Sequence, residues 1–228
     1  MNNKFLSRFS QMLSNEQLDS LLSKKIILFG VGGVGGAVAE MLVRSGVSNL
    51  TIVDFDVIDT TNINRQIIAT NSTVGLKKVE AFKNRLQDIN KNIKLTCIDN
   101  ALTKDNVEQF ALTNYDYVID CIDDIKAKQA LISYCCNNKI KIIVSCGAGN
   151  RYSEIPLFEL ADIHKTSYDA VAKLLRKFCV KEGIKKLPVV YTKQKSLKFV
   201  CNTIGSVVYY PISMACVIVA KVINDIIS

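Results

Sequence analysis

Residues 25–56, KIILFGVGGVGGAVAEMLVRSGVSNLTIVDFD, decide how the rest of the chain folds. Ile26, Ile27, Leu28 and Phe29 form an apolar run too short for a helix and ended by glycines, the pattern of a strand buried on both faces. Gly30, Gly32, Gly33 and Gly35 follow as G-x-G-G-x-G. Beyond them Val38 and Leu42, and Ala37 and Met41, recur four residues apart, and Gly46 can end the helix in a left-handed turn. A second apolar run, Leu50 to Val53, delivers Asp54. The expected unit is strand, phosphate turn, helix, strand. Its backbone N–H groups approach an anion at the positive end of a helix, and the acid after the second strand takes ribose hydroxyls. The glycines alone leave open whether the nucleotide is NAD, FAD or ATP.

Outward from this unit, 228 residues with 49% hydrophobic content suffice to bury a core as one domain. The expected fold class is α/β, a Rossmann-like, doubly wound, mainly parallel sheet with helices on both faces. Residues 1–24 read as an N-terminal helical segment, 25–150 as the nucleotide-binding core, and 151–228 as a basic segment with a C-terminal strand and helix. With 3 Pro, 11 Gly and no repeat, nothing suggests disorder. Lys4 and Arg8 break up any apolar stretch near the N-terminus, so no signal-peptide pattern is expected. The 8 cysteines sit mostly inside apolar runs, as reduced cytoplasmic thiols do, and no C-x-x-C pair supplies a four-thiolate zinc site.

Ser14 with Gln17 reads as a capping box opening a helix through Leu18, Leu21 and Leu22. After Asp54 and Asp56 comes a polar connection containing Asn62, Arg65 and Gln66. Gly75 then precedes a helix whose apolar face is Val79, Phe82, Leu86 and Ile89. Lys78 falls in that helix's first turn, where a cation opposes the dipole and needs another partner; phosphate is the natural one. A strand at 94–98 and a short helix near 105–112 follow. The strand from Tyr117 then runs out into Asp123 and Asp124, beyond a carboxyl end where open parallel sheets bind ligands. Asp124 also suits an N-cap for the helix carrying Ala127, Ala130 and Leu131. Lys141 to Cys146 reads as a strand closed by Gly147, Ala148 and Gly149.

The formal net charge is +8, and its placement is informative. Between His164 and Lys198 there are 10 basic residues against Asp169 and Glu182, so 10 − 2 = +8 falls there and the remainder sums to zero. Lys165, Lys173, Arg176, Lys177, Lys181, Lys185 and Lys186 are the expected polyanion contacts, RNA being the natural ligand. The segment holds one helix, 168–180, with strands expected at 187–191 and 199–203. Residues 204–220 carry no charge, but Gly205 and Pro211 interrupt them. A strand-like start and a buried helix with Pro211 in its first turn, in a dimer interface, are expected rather than a membrane span.

Together these residues resemble the ubiquitin-activating-enzyme-like (E1-like, ThiF-type) ATP-dependent adenylylating family. The resemblance rests on G-x-G-G-x-G, Asp54-Phe55-Asp56, Asn62 with Arg65-Gln66, Val74-Gly75 with Lys78, and Asp123. It implies that Asp54 holds the ribose of ATP, that Asn62, Arg65 and Lys78 hold its phosphates, and that Asp123 helps bind Mg²⁺. It also implies Asp56, Gln66 and Leu102 as members of the nucleotide-binding set, with Arg65, Lys78 and Asp123 catalytic. Within the family, four features resemble the branch that closes N6-threonylcarbamoyladenosine (t6A) at position 37 of tRNA into cyclic t6A. They are Arg8-Phe9, Cys146 to Gly149, Ala161 to Thr166 with its basic helix, and Gly205-Ser206-Val207 with Pro211. Two departures are Gln11 where sulfur-carrier activators have an arginine, and Tyr168-Asp169-Ala170 where that branch has D-P-L.

The expected reaction is adenylylation of the threonyl carboxylate followed by ring closure and release of AMP. The expected setting is a cytoplasmic homodimer that a sulfur-relay protein can also dock on. The rival readings are an activator of a ubiquitin-like sulfur carrier and an NAD-dependent oxidoreductase; the latter leaves Arg65 and Lys78 without a use. Cys179 and Cys201 lie where protein-activating relatives place a nucleophilic thiol, but ring closure requires no covalent cysteine.

Overall fold

The computed structural model describes residues 4–197 and 204–228. Seven strands form one sheet: β1 (Lys25–Phe29), β2 (Asn49–Val53), β3 (Lys94–Ile98), β4 (Tyr117–Asp120), β5 (Ile142–Ser145), β6 (Glu159–Asp162) and β7 (Pro188–Tyr191). Their order is β3-β2-β1-β4-β5-β7-β6, parallel except for β6, which pairs antiparallel with β7 at one edge. The helices are α1 (Asn15–Ser23), α2 (Gly33–Arg44), α3 (Lys78–Ile89), α4 (Ile125–Asn137), α5 (Ala170–Lys181) and α6 (Tyr209–Ile227).

Period-two alternation divides each central strand between two cores. Ile26 and Leu28 of β1 enter one cluster with α1, α2, α3 and α6; Ile27 and Phe29 enter the other with α4 and α5. Tyr117 and Ile119 of β4 likewise face the first cluster and Val118 the second. That double burial is why the strands read as unbroken apolar runs, and it matches the doubly wound, mainly parallel sheet expected.

The order of strands along the sheet switches direction between the parallel neighbours β1 and β4, whose carboxyl ends flank a crevice. Into it the Gly30 turn opens, placed there because Phe29 and Gly33 bound a sharp change from strand to helix. Gly30 adopts φ +80, and a side chain there would put Cβ 2.7 Å from the Cys121 carbonyl oxygen. Gly36 on α2 makes room for the ring of Phe82 on α3, so helix packing as well as the turn demands glycine.

Some local expectations hold and several shift. Ser14 forms the full capping box with Gln17. The strand from Tyr117 stops at Asp120, which leaves Asp123 and Asp124 on the connection to α4, where Asp124 caps the helix by accepting the Ala127 N–H. Instead of one helix near 105–112 there are two 3₁₀ turns, Val107–Phe110 and Leu112–Asn114, split by Ala111 in a left-handed conformation. The helix expected at 168–180 begins at Ala170, because Tyr168 has φ +56 and Asp169 is its N-cap. No strand precedes α6 at residues 204–208. The strand expected at 199–203, Lys198 and Cys201 lie outside the described residues.

α6 is long and apolar enough to cross a membrane by composition, yet Met214, Ala215, Ile218 and Val222 are buried in the same core as α2. Its apolar character is therefore used within the chain. Gln17 Nε2 and Ser20 Oγ donate to the Ile227 and Ile226 carbonyls, so α1 caps the far end of α6.

Candidate functional site

A cleft of about 900 Å³ opens at the carboxyl ends of β1, β2, β4 and β5. Gly30, Gly32, Gly33, Asp54, Asp56, Asn62, Arg65, Gln66, Lys78, Leu102 and Asp123 all line it, so the structure brings together residues 93 positions apart, 30 to 123. A smaller hollow of about 400 Å³, lined by Lys24, Asp116 and Asp225 among others, lies by the start of β4 and has no glycine turn.

Asp54 ties the two turns of the cleft together. Its Oδ2 accepts the Val31 N–H at 2.7 Å from the glycine turn, and its Oδ1 accepts the Asp56 N–H at 2.9 Å. The residue is 8% exposed, and a carboxylate so placed is held rigid by two charge-assisted bonds while each oxygen keeps a lone pair. Lys78 is the first residue of α3 and is buried; its Nζ lies 2.6 Å from Asp56 and 4.0 Å from Asp54. The cation that opposes its own helix dipole is thus compensated by two carboxylates, in the mouth of the cleft.

Arg65 is half-buried, and its Nη1 donates to the Thr61 carbonyl at 2.6 Å and to Asn64 Oδ1 at 3.1 Å. Asn62 Oδ1 accepts the Asp59 N–H, closing a capping box that fixes the 59–66 connection over the cleft. Gln66 is buried, and its Oε1 has no hydrogen-bond partner within the chain. An orphaned acceptor beside the glycine turn fits a ligand that brings a donor.

Asp123 lies past β4 and is exposed. Among the described residues no cluster of three or more His, Cys, Asp or Glu side chains can hold a metal by itself. A single carboxylate does fit Mg²⁺ that arrives on phosphates and takes one or two protein oxygens.

Two of the expected site residues are placed differently from the others. Gly35 is buried inside α2 and does not line the cleft: a Cβ there would lie 1.8 Å from the Gly30 carbonyl oxygen, so its place is close packing behind the turn. Arg176 is half-buried, and its Nη1 donates to the Thr166 carbonyl at 2.8 Å and Oγ1 at 2.6 Å, a tie that fixes one end of the guanidinium within the fold. Lys165, Lys173, Lys177, Lys181, Lys185 and Lys186 remain exposed.

Sequence reading missed two buried clusters in the cleft wall. Lys128 Nζ donates to Asp120 Oδ1 at 3.0 Å and to the Ser145 carbonyl at 2.8 Å, joining α4 to the ends of β4 and β5. Burial pushes the Asp120 carboxyl up, and the Lys128 charge opposes that push. A carboxylate ending an otherwise apolar strand was the available signal, since it requires a cation. In the second cluster Arg151 donates to the Gly147 and Gly149 carbonyls, and Asp169 accepts the Gly147 N–H at 3.1 Å. The cap of the basic helix α5 is thereby fastened to the Gly147–Gly149 wall.

Cys179 is buried, and burial pushes its thiol up to about 11; Cys146 is likewise raised by burial. A nucleophilic thiolate needs the opposite shift.

Comparisons with known proteins agree with this fold. A model of the ThiF family matches residues 6–225. The chain is 40% identical over 192 residues to the tRNA threonylcarbamoyladenosine dehydratase of Bacillus subtilis (strain 168), which covers 84% of this chain and 75% of that protein. It is 38% identical over 167 residues to the Escherichia coli (strain K12) protein of that name, 73% of this chain but 62% of that one, less than two thirds. The E. coli molybdopterin-synthase adenylyltransferase is 31% identical over 169 residues, 73% of this chain and 67% of that one. A crystal structure of the E. coli tRNA N6-threonylcarbamoyladenosine dehydratase in complex with ATP superposes with a TM-score of 0.91 at 30% identity, covering 98% of this chain and 93% of that one.

Proposed function

The chain belongs to the ThiF family, and we propose that it is an ATP-dependent tRNA t6A dehydratase, closing t6A to its cyclic form. One observation carries the reading: Arg65, Lys78 and Asp123 line the same cleft as the glycine turn and Asp54. A nicotinamide enzyme has no use for that convergence, whereas adenylylation places a triphosphate there. Identity of 40% to a protein named for this dehydration supports the substrate.

In this reading Asp54 takes the ribose hydroxyls, while the Gly30–Gly33 turn and the amino end of α2 face the phosphates. Arg65 and Lys78 exchange part of their bonding to Thr61 and Asp56 for phosphate oxygens. Their charges offset negative charge that builds as the α-phosphate is attacked. Asp123 would hold Mg²⁺, which supplies further charge neutralisation on the phosphates.

A carboxylate oxygen of the threonyl group forms a bond to the α-phosphorus, and the bond to pyrophosphate breaks. An atom of the same modified side chain then closes on the activated carbonyl, its proton leaves, and AMP departs; the net change is loss of one water. Closure within one side chain needs no protein nucleophile, because proximity supplies on the order of 7 kcal/mol or more in favourable cases. The buried, raised Cys179 thiol is consistent with that.

The exposed lysines of α5 and its flanks supply the surface for tRNA, which also supports this reading over activation of a sulfur carrier. Residues Ile155, Leu157 and Leu160, exposed on and before the edge strand β6, support a homodimer. Docking of a sulfur-relay protein rests on the family resemblance alone, and a tRNA substrate implies a cytoplasmic setting.

The test is mass spectrometry of nucleosides from t6A-bearing tRNA incubated with the purified protein and MgATP, under conditions that spare the cyclic product. Conversion of t6A with stoichiometric AMP is expected. Unchanged t6A, or AMP transfer to a carrier-protein C-terminus instead, overturns the reading.

A further inference from the structure

Tyr168 combines three properties that are hard to reconcile with a passive surface residue. Its φ of +56 lies in the left-handed region, where a bulky non-glycine residue is an outlier. The side chain is 67% exposed, so burial does not compensate that conformation. It also stands beside a cation: Lys195 Nζ lies 5.6 Å from the ring centroid, and along the chain Lys165, three residues before, and Lys173, five after, are exposed.

The conformation is imposed from both sides. Upstream, Thr166 is held by the Arg176 guanidinium and by its own bond from Oγ1 to the Ile163 carbonyl at 2.7 Å. Downstream, Asp169 is 3% exposed, caps α5 through the Ala172 N–H at 2.9 Å and accepts the Gly147 N–H. Because Gly147 belongs to the cleft wall, the backbone next to Tyr168 is referenced to the nucleotide site. Strain of this kind persists where surrounding structure over-determines it, and it concentrates at ligand clamps.

An exposed, rigidly mounted aromatic ring beside a lysine is the chemistry of a stacking platform for single-stranded nucleic acid. Every base offers a π-face, and the cations meet the backbone. We propose that Tyr168, backed by Lys195, is a stacking shelf for an unpaired nucleobase of the RNA strand whose modified nucleotide enters the cleft. The inference rests on the functional reading above and adds how the strand is gripped. A stacked base holds the strand beside the cleft, while Asp169 keeps the shelf in register with the Gly147 wall of that cleft.

The chain contains no tryptophan, so Tyr168→Trp installs a single reporter that preserves stacking. Titration of Y168W with t6A-bearing tRNA is expected to quench its fluorescence saturably. Y168F and Y168W should keep KM for tRNA within about twofold of wild type, whereas Y168A and Y168G should raise it by about fivefold or more with ATP binding unchanged. Glycine suits the left-handed backbone, so Y168G should melt no lower than wild type, which separates impaired stacking from impaired folding. An unaltered KM in Y168A, or a Y168W signal indifferent to bound tRNA, overturns the shelf. So does a Y168W emission that shifts with protein concentration without RNA, which assigns the ring to a protein contact. Wild-type protein that neither binds nor cyclises the tRNA defeats the functional reading itself, whereas active wild type with an indifferent Y168A defeats the shelf alone.

Discussion

Lys128 on α4 and Asp120 at the end of β4 form a buried ion pair, Nζ to Oδ1 3.0 Å, with side chains 2% and 0% exposed. The pair is one corner of the cleft floor, because the same ammonium group also holds the Ser145 carbonyl.

Removing one member should cost far more than the pair itself contributes. Lys128→Ala leaves a carboxylate buried without compensation and is expected to destabilise the protein by about 3–5 kcal/mol in denaturant unfolding. The double change Lys128→Met, Asp120→Asn should recover much of that stability. A single-residue effect under about 1 kcal/mol would contradict the burial described.

The adjacent carboxylates Asp123 and Asp124 should separate cleanly by phenotype. Asp123→Ala is expected to abolish ATP/pyrophosphate exchange with the melting temperature unchanged, since its side chain is exposed. Asp124→Ala removes the α4 cap and should cost about 1 kcal/mol of stability while exchange persists. The reverse assignment would show that the wrong acid was placed at the phosphates.

Glycines of the turn should also differ. Gly35→Ala drives Cβ into the Gly30 carbonyl and should eliminate nucleotide binding together with much of the stability. Gly32→Ala meets only Gln66 Nε2, at 3.8 Å, and should fold normally. Calorimetric ATP titration of both variants decides the matter; equal behaviour would refute the packing account.

Glu40 on α2 should govern part of the acid stability. Burial pushes its carboxyl up most strongly of any single influence, but hydrogen bonds and charge from Arg85 and Arg44 together bring it below the ordinary 4.5. A lowered folded value means the stabilisation is complete above pH 4.5 and is lost as pH falls through the folded value. Glu40→Gln should therefore be less stable at pH 7 and show a shallower decline below pH 4.5 than wild type in urea melts. An identical pH slope would remove the arginine pair from the explanation.

The lysine face of α5 should act through salt. Reversing Lys173 and Lys177 to Glu is expected to weaken tRNA binding and to flatten the plot of log K against log salt, by roughly one unit for each phosphate no longer neutralised. ATP affinity should not change. Full-strength binding by the reversed protein would take α5 out of the RNA interface.

Elements whose determinants are close in sequence were legible before the structure. The Gly30 turn, the Ser14 capping box and the Val79–Phe82–Leu86 stripe each declare themselves within a dozen residues, by period or cap chemistry. Asp54, Lys78 and Asp123 were legible from their places after strands and in a helix's first turn, whereas Asn62, Arg65 and Gln66 were legible only as members of a family pattern. Clusters made by tertiary juxtaposition were not. Lys128 reads as an ordinary polar helix position, and nothing near Arg176 reveals that its guanidinium reaches Thr166. Edge strand β6 was missed because Glu159-Leu160-Ala161-Asp162 is half-exposed and has no apolar run. Tyr168 looked like the start of α5, since a left-handed residue leaves no trace in periodicity.

The pairing of α2 with α6 has a bearing on biogenesis. The helix behind the phosphate turn finds its outer cover more than 160 positions downstream, and Pro211 of that cover sits 3.3 Å from where a Gly33 side chain would begin. Pairings of such long separation form late and slowly. A ribosome-bound chain halted before residue 209 should therefore expose a greasy α2 to chaperones, however complete its strands. Competence to take up nucleotide would arrive only after α6 has been released from the exit tunnel.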